Sequence, residues 1–376
     1  MKSLSSLILL LLITDACVDR LEVKPIESDL DIVVVDGLIT NEPGPYTIKL
    51  FRASGLDDIL NFSQPVLAQR VTIIDDLGNS EVLQNRGGGI FETDPSGIRG
   101  EVGRKYHVNI ELPDGTLLES IPDELRQVKD IDSIYFEWQS FLPISGPAQN
   151  GFRVFMDTRG DEGMENFLRW KFTGTYMVNS FPELNHALCN CCELKGPPKP
   201  FPCSGVEWTG FFLKTTSPCA CCFCWVTDFE NKPRLSDNQI VTDGSFKKVE
   251  MGFVPFDQFT FSHNKYMVKV EQMSLSNQAF EFWKVIKDQK EGINSLFQPA
   301  FGKVKTNIFS PNAKIKVTGI FYASAVKKKI LFITGGDAPI PVPPFDIVPP
   351  ETNCALWRPC NQIFPNASTT PPPDWK

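Results

Sequence analysis

The stretch that decides the fold class is IVVVDGLITNEPGPYTIKLF, residues 32–51. It opens with a β-branched run and closes with an alternation that places Tyr46, Ile48 and Leu50 on one face of a strand. Between them, residues 41–45 read Asn-Glu-Pro-Gly-Pro, which is typical of a turn because proline fixes φ and glycine accepts positive φ. The stretch therefore predicts two strands joined by a turn.

Similar signals recur along the next part of the chain. Residues 106–112 alternate strictly between apolar and polar side chains, and the Asp-Gly pair at 114–115 predicts a hairpin. The glycine run at 87–89 precedes a strand and lacks the Lys-Ser/Thr partner of a phosphate-binding loop, so we interpret it as a turn. Short strands with frequent turn signals predict a β-sandwich over residues 30–124.

A larger β-rich domain is predicted over residues 125–335, with one helix at 276–290. Five apolar side chains share one face of that helix, and we interpret them as core packing rather than a ligand site: Leu275, Ala279, Phe282, Trp283 and Ile286. Residues 336–376 are rich in proline, which favours extended polyproline structure or disorder. This tail is a spacer or a partner-binding strap, and the sequence does not choose between them.

Composition narrows the class of protein further. The chain has 376 residues, more than one ordinary core accommodates, and its 42% apolar and 22% charged residues indicate a globular protein. The 29 Phe, 30 Pro and 26 Gly suit a mainly β protein with many turns. A net charge of −8 and the absence of a long Lys/Arg cluster argue against a nucleic-acid partner.

The amino terminus resembles an export signal. A short apolar run at residues 7–13 cannot cross a bilayer, which needs about 20 residues, but it fits the apolar region of a secretory signal. A small residue directly before Cys17 is the pattern that lipoprotein signal peptidase cleaves. We therefore predict a signal peptide over residues 1–16, lipidation of Cys17 and a tether over 17–29. The alternative is an ordinary signal peptide with an incidental cysteine, since Asp15 is unusual beside this cleavage site.

Ten cysteines remain once Cys17 is assigned to lipid. An even number in an exported chain predicts disulfides, and a proline-rich insertion at 189–224 holds eight of the ten. The ten disulfide candidates are Cys189, Cys191, Cys192, Cys203, Cys219, Cys221, Cys222, Cys224, Cys354 and Cys360. Proximity predicts only one pairing, Cys354–Cys360. A thiolate cluster for zinc or iron–sulfur is the alternative, because C-x₂-C spacings occur, but an oxidising compartment favours disulfides and no metal is expected.

The histidine content limits the catalytic chemistry. The chain contains only His107, His186 and His263. None lies in a Gly-x-Ser-x-Gly or His-Glu-x-x-His motif, and nucleophilic catalysis needs a base held against its nucleophile. We therefore predict no catalytic residue, no cofactor and no enzymatic activity, with an envelope hydrolase as a less favoured alternative.

Five segments of the chain are similar to a known family: residues 35–46, 131–135, 166–170, 282–283 and 319–325. They resemble a group of Bacteroidota lipoproteins catalogued as a domain of unknown function (DUF4249). The first domain also resembles the carboxypeptidase-regulatory or transthyretin-like sandwich, a relative of the immunoglobulin-like fold. The resemblance implies residence at the outer membrane beside TonB-dependent receptors and an accessory role in nutrient uptake, and it assigns no activity.

The resulting expectation is a non-catalytic outer-membrane lipoprotein. It would be an accessory or a ligand- or partner-binding component of a TonB-dependent transport system, held to the membrane by its lipid. A surface adhesion or structural module is the alternative that the sequence does not separate from it. The face of the membrane stays open, because residues 18–22 are only weakly acidic.

Overall fold

A computed structural model describes most of the chain, namely residues 32–53, 63–141, 149–160, 166–186, 199–210, 212–230, 232–236, 244–292, 305–344, 357–364 and 366–375. The predicted signal peptide and tether lie outside the described residues. So do five cysteines: Cys17, Cys189, Cys191, Cys192 and Cys354.

Short strands dominate the described residues. The first ten are β1 (Ile32–Thr40), β2 (Thr47–Ala53), β3 (Ser63–Pro65), β4 (Arg70–Asp75), β5 (Ser80–Val82), β6 (Gln84–Gly87), β7 (Ile90–Glu92), β8 (Lys105–Glu111), β9 (Leu117–Ser120) and β10 (Asp123–Glu124). The next nine are β11 (Ile131–Phe141), β12 (Gln149–Arg159), β13 (Leu168–Asn179), β14 (Val206–Thr209), β15 (Phe212–Thr215), β16 (Phe223–Phe229), β17 (Arg234–Leu235), β18 (Ser245–Pro255) and β19 (Lys265–Ser274). The last four are β20 (Ile308–Phe309), β21 (Lys316–Ser324), β22 (Val326–Thr334) and β23 (Ala367–Ser368).

Helical structure is limited in the same residues. The two α-helices are α1 (Asn277–Gly292) and α2 (Cys360–Ile363), and the 3₁₀ turns are Pro182–His186, Pro202–Ser204 and Gly335–Asp337. The mainly β fold class predicted from the sequence is confirmed. No helix within the described ranges combines the length and the apolar character that a membrane crossing requires.

The first sandwich consists of two sheets. One has the strand order β21-β1-β2-β7-β6 with β3 on β2, and the other has the order β20-β9-β8-β4-β5 with β10 on β8. The alternation read from the sequence is confirmed: Ile48 and Leu50 of β2 and Val108 and Ile110 of β8 are buried in one apolar cluster. The glycine run at 87–89 forms the β6–β7 turn with positive φ at all three positions, as predicted.

The predicted division between the two domains needs correction. Strands β20 and β21 come from the stretch predicted to belong to the second domain, yet they complete the first sandwich. Strand β21 runs parallel to β1, with Val35 opposite Gly319. A parallel pair has no hairpin and joins residues far apart in the chain, so short-range sequence signals do not reveal it.

The second sandwich packs a three-stranded sheet, β11-β12-β18, against a larger one with the order β22-β19-β13-β16-β23 and β17 on β13. Aromatic side chains fill the space between the sheets. The ring of Trp170 on β13 lies 5.4 Å from that of Phe246 on β18, and Phe152 lies 5.8 Å from Phe261. These rings join the same apolar cluster as the first sandwich, so the core is continuous.

One path of chain joins the two sandwiches directly. Only Ala325 separates β21 of the first from β22 of the second. Its backbone N–H donates to Ser274 Oγ at 3.0 Å, and the Ser274 N–H donates to the Ala325 carbonyl at 3.1 Å. The Val326 N–H donates to Asn41 Oδ1 at 2.7 Å. The junction therefore has its own hydrogen bonds.

Helix α1 covers this junction and agrees closely with the predicted helix. Ser276 caps it, because its Oγ accepts from the Ala279 N–H at 3.1 Å. The predicted apolar face packs as predicted, against Ile320 and Tyr322 of β21. The helix residues of that cluster are Ala279, Phe280, Phe282, Trp283 and Ile286, with Leu275 just before them.

The described part of the proline-rich tail is a strap on its own chain. Trp357 and Cys360 are buried, and β23 pairs with β16, placing Ala367 opposite Val226. Trp375 lies beneath the ammonium of Lys265, which is 5.1 Å from the ring centre. Proline content alone did not indicate this return to the second sandwich.

Candidate functional site

The side chain of Arg169 lies where β13, α1 and β21 meet. Its Nη1 donates to the hydroxyl of Tyr322 at 2.9 Å, and its guanidinium lies 3.5 Å from the centre of the Trp283 ring. Tyr322 is buried, and burial raises the pKa of its phenol more than the Arg169 charge lowers it. The phenol therefore stays neutral and its oxygen accepts the Arg169 hydrogen bond.

Buried polar groups at the junction are paired with backbone groups. Asp123 accepts from the Ala323 N–H at 2.9 Å, and Asn307 accepts from the Phe321 N–H at 3.1 Å. Burial raises the pKa of Asp123, an effect only partly offset by its hydrogen bonds with Ser276 and Ala323. Unpaired buried polar groups are destabilising, so these bonds fix β21 against the facing sheet of the first sandwich, beside the junction.

Four of the segments similar to the DUF4249 family meet at this junction. Residues 35–46 and 319–325 include the paired parts of β1 and β21, while 166–170 and 282–283 contribute Arg169 and Trp283. Their arrangement brings together packing and hydrogen-bonding groups. The segments therefore build the connection between the sandwiches.

Two of the clefts that open beside the junction are lined by five charged side chains each. The larger of these two, about 750 Å³, lies between the sandwiches, and four of its five charged side chains pair with each other. Arg159 Nε lies 3.3 Å from Asp132, and Lys327 Nζ lies 2.9 Å from Asp130. The smaller, about 310 Å³, lies against β13 and α1 and is lined by cationic side chains. Sequence reasoning identified neither cleft, because their walls come from distant segments.

Six of the ten predicted disulfide cysteines lie in the described residues, and all six are paired. The pairs are Cys203–Cys221, Cys219–Cys222 and Cys224–Cys360, with Cα–Cα distances of 5.6, 5.6 and 5.9 Å. The predicted Cys354–Cys360 pairing is wrong, because Cys360 bonds to Cys224. The strap places Cys360 next to Cys224 on β16. Closeness in space, rather than closeness in sequence, therefore determines this pair.

A metal-binding alternative has a geometric counterpart. The ligand atoms of Glu183, Cys219 and Cys222 lie within 4.8 Å of one another. Both sulfurs belong to one disulfide, and zinc binds cysteine as the thiolate. In this structure the two cysteines form a disulfide rather than a pair of thiolate ligands. A Glu183 oxygen lies 3.3 Å from Cys222 Sγ.

The cystine-rich segment presents a two-stranded hairpin, formed by β14 and β15. The Cys203–Cys221 bond lies at its base, where Gly205 adopts a φ of +73°. Phe212 near the tip is 77% exposed, and Trp208 on the facing strand is also exposed. We define this hairpin, residues 206–210 and 212–215, as the aromatic hairpin.

The side chains of His107 and His263 are described and lie on separate elements, whereas that of His186 lies outside the described part of the structure. His107 lies on β8 opposite Ile74, and His186 ends a 3₁₀ turn. His263 Nδ1 lies 3.1 Å from the Met177 carbonyl and 3.2 Å from Ser262 Oγ. A carbonyl only accepts, so Nδ1 carries the proton and cannot take one from Ser262.

Comparison with known proteins identifies a family. Residues 18–330 match the model of the family described as "Domain of unknown function (DUF4249)". A search of curated proteins and a search of solved structures each give no match. Because the family match spans most of the chain, this chain belongs to the DUF4249 family.

Proposed function

We propose that this protein is a non-catalytic lipoprotein of the outer membrane, anchored through acylated Cys17. In this proposal it is an accessory, ligand- or partner-binding component of a TonB-dependent transport system. The lipid would hold the two sandwiches at the membrane through the segment at residues 17–29.

The observation that carries the proposal is the position of Cys17. It lies four residues after the end of a short apolar run and directly after Ala16, and the family match begins at the next residue. The paired cysteines support export as well, because disulfides persist in oxidising compartments. An exported chain with an acylated cysteine at its mature amino terminus would be membrane-bound without a spanning helix.

The aromatic hairpin is the surface that we assign to the partner. Aromatic side chains are enriched at protein interfaces, and a cross-linked hairpin loses little conformational freedom on binding. Phe212 extends from its tip, while Cys203–Cys221 fixes its base. A transporter subunit with an apolar pocket would fit this projection.

The anchor is tested by fractionating cells that produce Cys17→Ala. We expect this variant in the soluble fraction without incorporated labelled palmitate, whereas the control Val18→Ala stays in the membrane and carries label. Retention of Cys17→Ala in the membrane pellet would contradict the anchor.

The partner is tested by affinity purification of the lipidated protein from detergent-solubilised membranes of its own cells. We expect a TonB-dependent receptor to be enriched, and Phe212→Ser to reduce its recovery. Leu77→Ser is the matched control, because Leu77 is 74% exposed on a turn of the first sandwich. Recovery of the lipoprotein alone would contradict the transport role.

Surface adhesion is the second candidate function, and the exposed aromatic side chains favour it too. Adhesion requires the aromatic hairpin to be exposed on the cell surface, whereas the transport role requires a bound receptor. Cleavage of the aromatic hairpin by protease added to intact cells, with no receptor co-purified, would favour adhesion.

A further inference from the structure

The smaller cleft, about 310 Å³, is lined mainly by cationic side chains, although the net charge of the protein is −8. Its floor is the outer face of β13, and α1 forms one wall. Four cationic side chains line it: Arg169, Lys171, Lys232 and Lys290. The one carboxylate on its wall, Glu230, is already engaged by Arg234 at 2.5 Å. The cleft therefore carries an excess of positive charge.

Lys171 is a partly buried cation on the floor of the cleft. It is half-buried, and within the described ranges no carboxylate lies within ion-pair distance of its ammonium. Burial lowers the pKa of Lys171, and the charge of Arg169 lowers it further, while Glu271 and Asp36 offset only part of this effect. A charged group held away from water without a partner is destabilising, and a bound anion would relieve that cost.

Arg169 adds a second unsatisfied donor to the same cleft. Its Nη1 binds Tyr322, but its Nε is buried and has no hydrogen-bond partner among the described residues. Lys232 is exposed at the rim, where its charge would attract an approaching anion. The donors thus extend from the rim of the cleft to its buried floor.

The remaining wall is apolar. It is lined by Trp283 and Ile286 of α1 and by Phe229 and Pro233. Phe229 is 61% exposed, so its ring is available for contact. Ligand pockets commonly combine such apolar walls with a few polar groups that orient the ligand, and this volume lies at the lower end of their range.

We propose that this cleft binds a small aromatic carboxylate. The acid group would lie against Lys171 and Arg169, and the ring would pack between Trp283 and Phe229. The inference goes beyond the proposed function and does not depend on it, because the site needs neither a lipid anchor nor a transport partner.

Calorimetric titration of the full-length protein with phenylacetate tests this site. Phenylacetamide is the matched ligand control, since it has the same shape without the negative charge. We expect phenylacetate to bind and the amide to bind at least about tenfold more weakly, as lost charge-assisted hydrogen bonds imply. Absence of binding by phenylacetate, or equal affinity for the two compounds, would overturn the proposal.

Two variants locate the site. Lys171→Met is expected to weaken phenylacetate binding about tenfold or more, while its melting temperature stays equal or rises, because an uncompensated charge is removed. Lys105→Met removes one exposed charge from β8 and should leave binding unchanged. If Lys171→Met unfolds, Lys232→Met serves instead, since Lys232 is exposed and its loss should weaken binding several-fold. Unchanged affinity in the folded variant used would overturn the assignment.

Discussion

Arg169 in the second sandwich donates a 2.9 Å hydrogen bond to the buried hydroxyl of Tyr322 in the first. The same guanidinium stacks on Trp283 of the helix that covers the junction. The Arg169 side chain therefore connects its own strand, β13, to two elements that are far from it in sequence, β21 and α1. These specific contacts therefore help to fix the position of the two sandwiches relative to each other.

Tyr322→Phe tests this contact. The variant keeps the ring but leaves Arg169 without its acceptor, so we expect the free energy of unfolding to fall by about 1–2 kcal/mol in urea titration. Tyr135→Phe is the control, because its hydroxyl makes only a long 3.4 Å contact to Asp157 near the surface. Equal effects of the two substitutions would contradict a role for Tyr322 in joining the sandwiches.

Gly319→Ala tests the parallel pairing of β1 with β21. Gly319 has a φ of +107°, and an added Cβ would lie 1.9 Å from the Val35 carbonyl oxygen. We expect a loss of about 2 kcal/mol or more in chemical unfolding, since both strain and overlap contribute. Gly78→Ala also has positive φ but meets no atom within 4 Å, so a loss of about 1 kcal/mol is expected. A tolerated Gly319→Ala would argue against this register.

Asp123 predicts a specific pH dependence of stability. Burial raises its pKa above the ordinary 3.8, so between the two values the folded state holds a proton that the unfolded state has released. The contribution of Asp123 to the free energy of unfolding therefore decreases as pH rises from about 4 through the raised pKa, and it stays constant at higher pH. We expect Asp123→Asn to abolish this decrease and to be at least as stable as the parent at pH 7.

Asp114→Asn provides the opposite control for that measurement. Hydrogen bonds from Thr116 lower the pKa of Asp114, so its contribution is present above the ordinary value and is lost as pH falls through the lowered pKa. The free energy of unfolding of both variants and the parent would be measured by urea titration at pH values from about 3 to about 7. Parallel curves for Asp123→Asn and the parent would contradict the assignment.

The Cys224–Cys360 bond predicts a large effect on stability. It joins residues separated by 136 positions and ties the strap to β16. Removing it as Cys224→Ala/Cys360→Ala is expected to lower the free energy of unfolding by about 5 kcal/mol, compared with about 3 kcal/mol for Cys203→Ala/Cys221→Ala. Non-reducing peptide mapping should recover the 224–360 cross-link. A recovered 354–360 cross-link would support the pairing suggested by sequence proximity instead.

Local patterns predicted much of the secondary structure. Alternation located β8, and the apolar face of residues 275–286 located α1, because both patterns repeat within a few residues. The glycine turn at 87–89 was predicted because the run precedes a strand and lacks the partner of a phosphate-binding loop, and its glycines adopt positive φ. These elements depend on neighbours in the chain, which the sequence displays directly.

Contacts between distant segments were outside the reach of those patterns. Nothing near residue 319 indicates that β21 pairs with β1, and nothing near residue 360 indicates a bond to Cys224. The cationic cleft has the same origin, since β13 and α1 contribute Lys171 and Trp283 from segments far apart in the chain. Such sites depend on topology, whereas alternation, helical periodicity and turn residues are local signals.

The mass of the intact native protein tests the central claim most directly. We expect the chain purified from its own membranes to begin at Cys17 and to carry the added mass of fatty acyl groups on that residue. An unacylated chain that still contains residues 1–16 would contradict the lipid anchor and the function built on it.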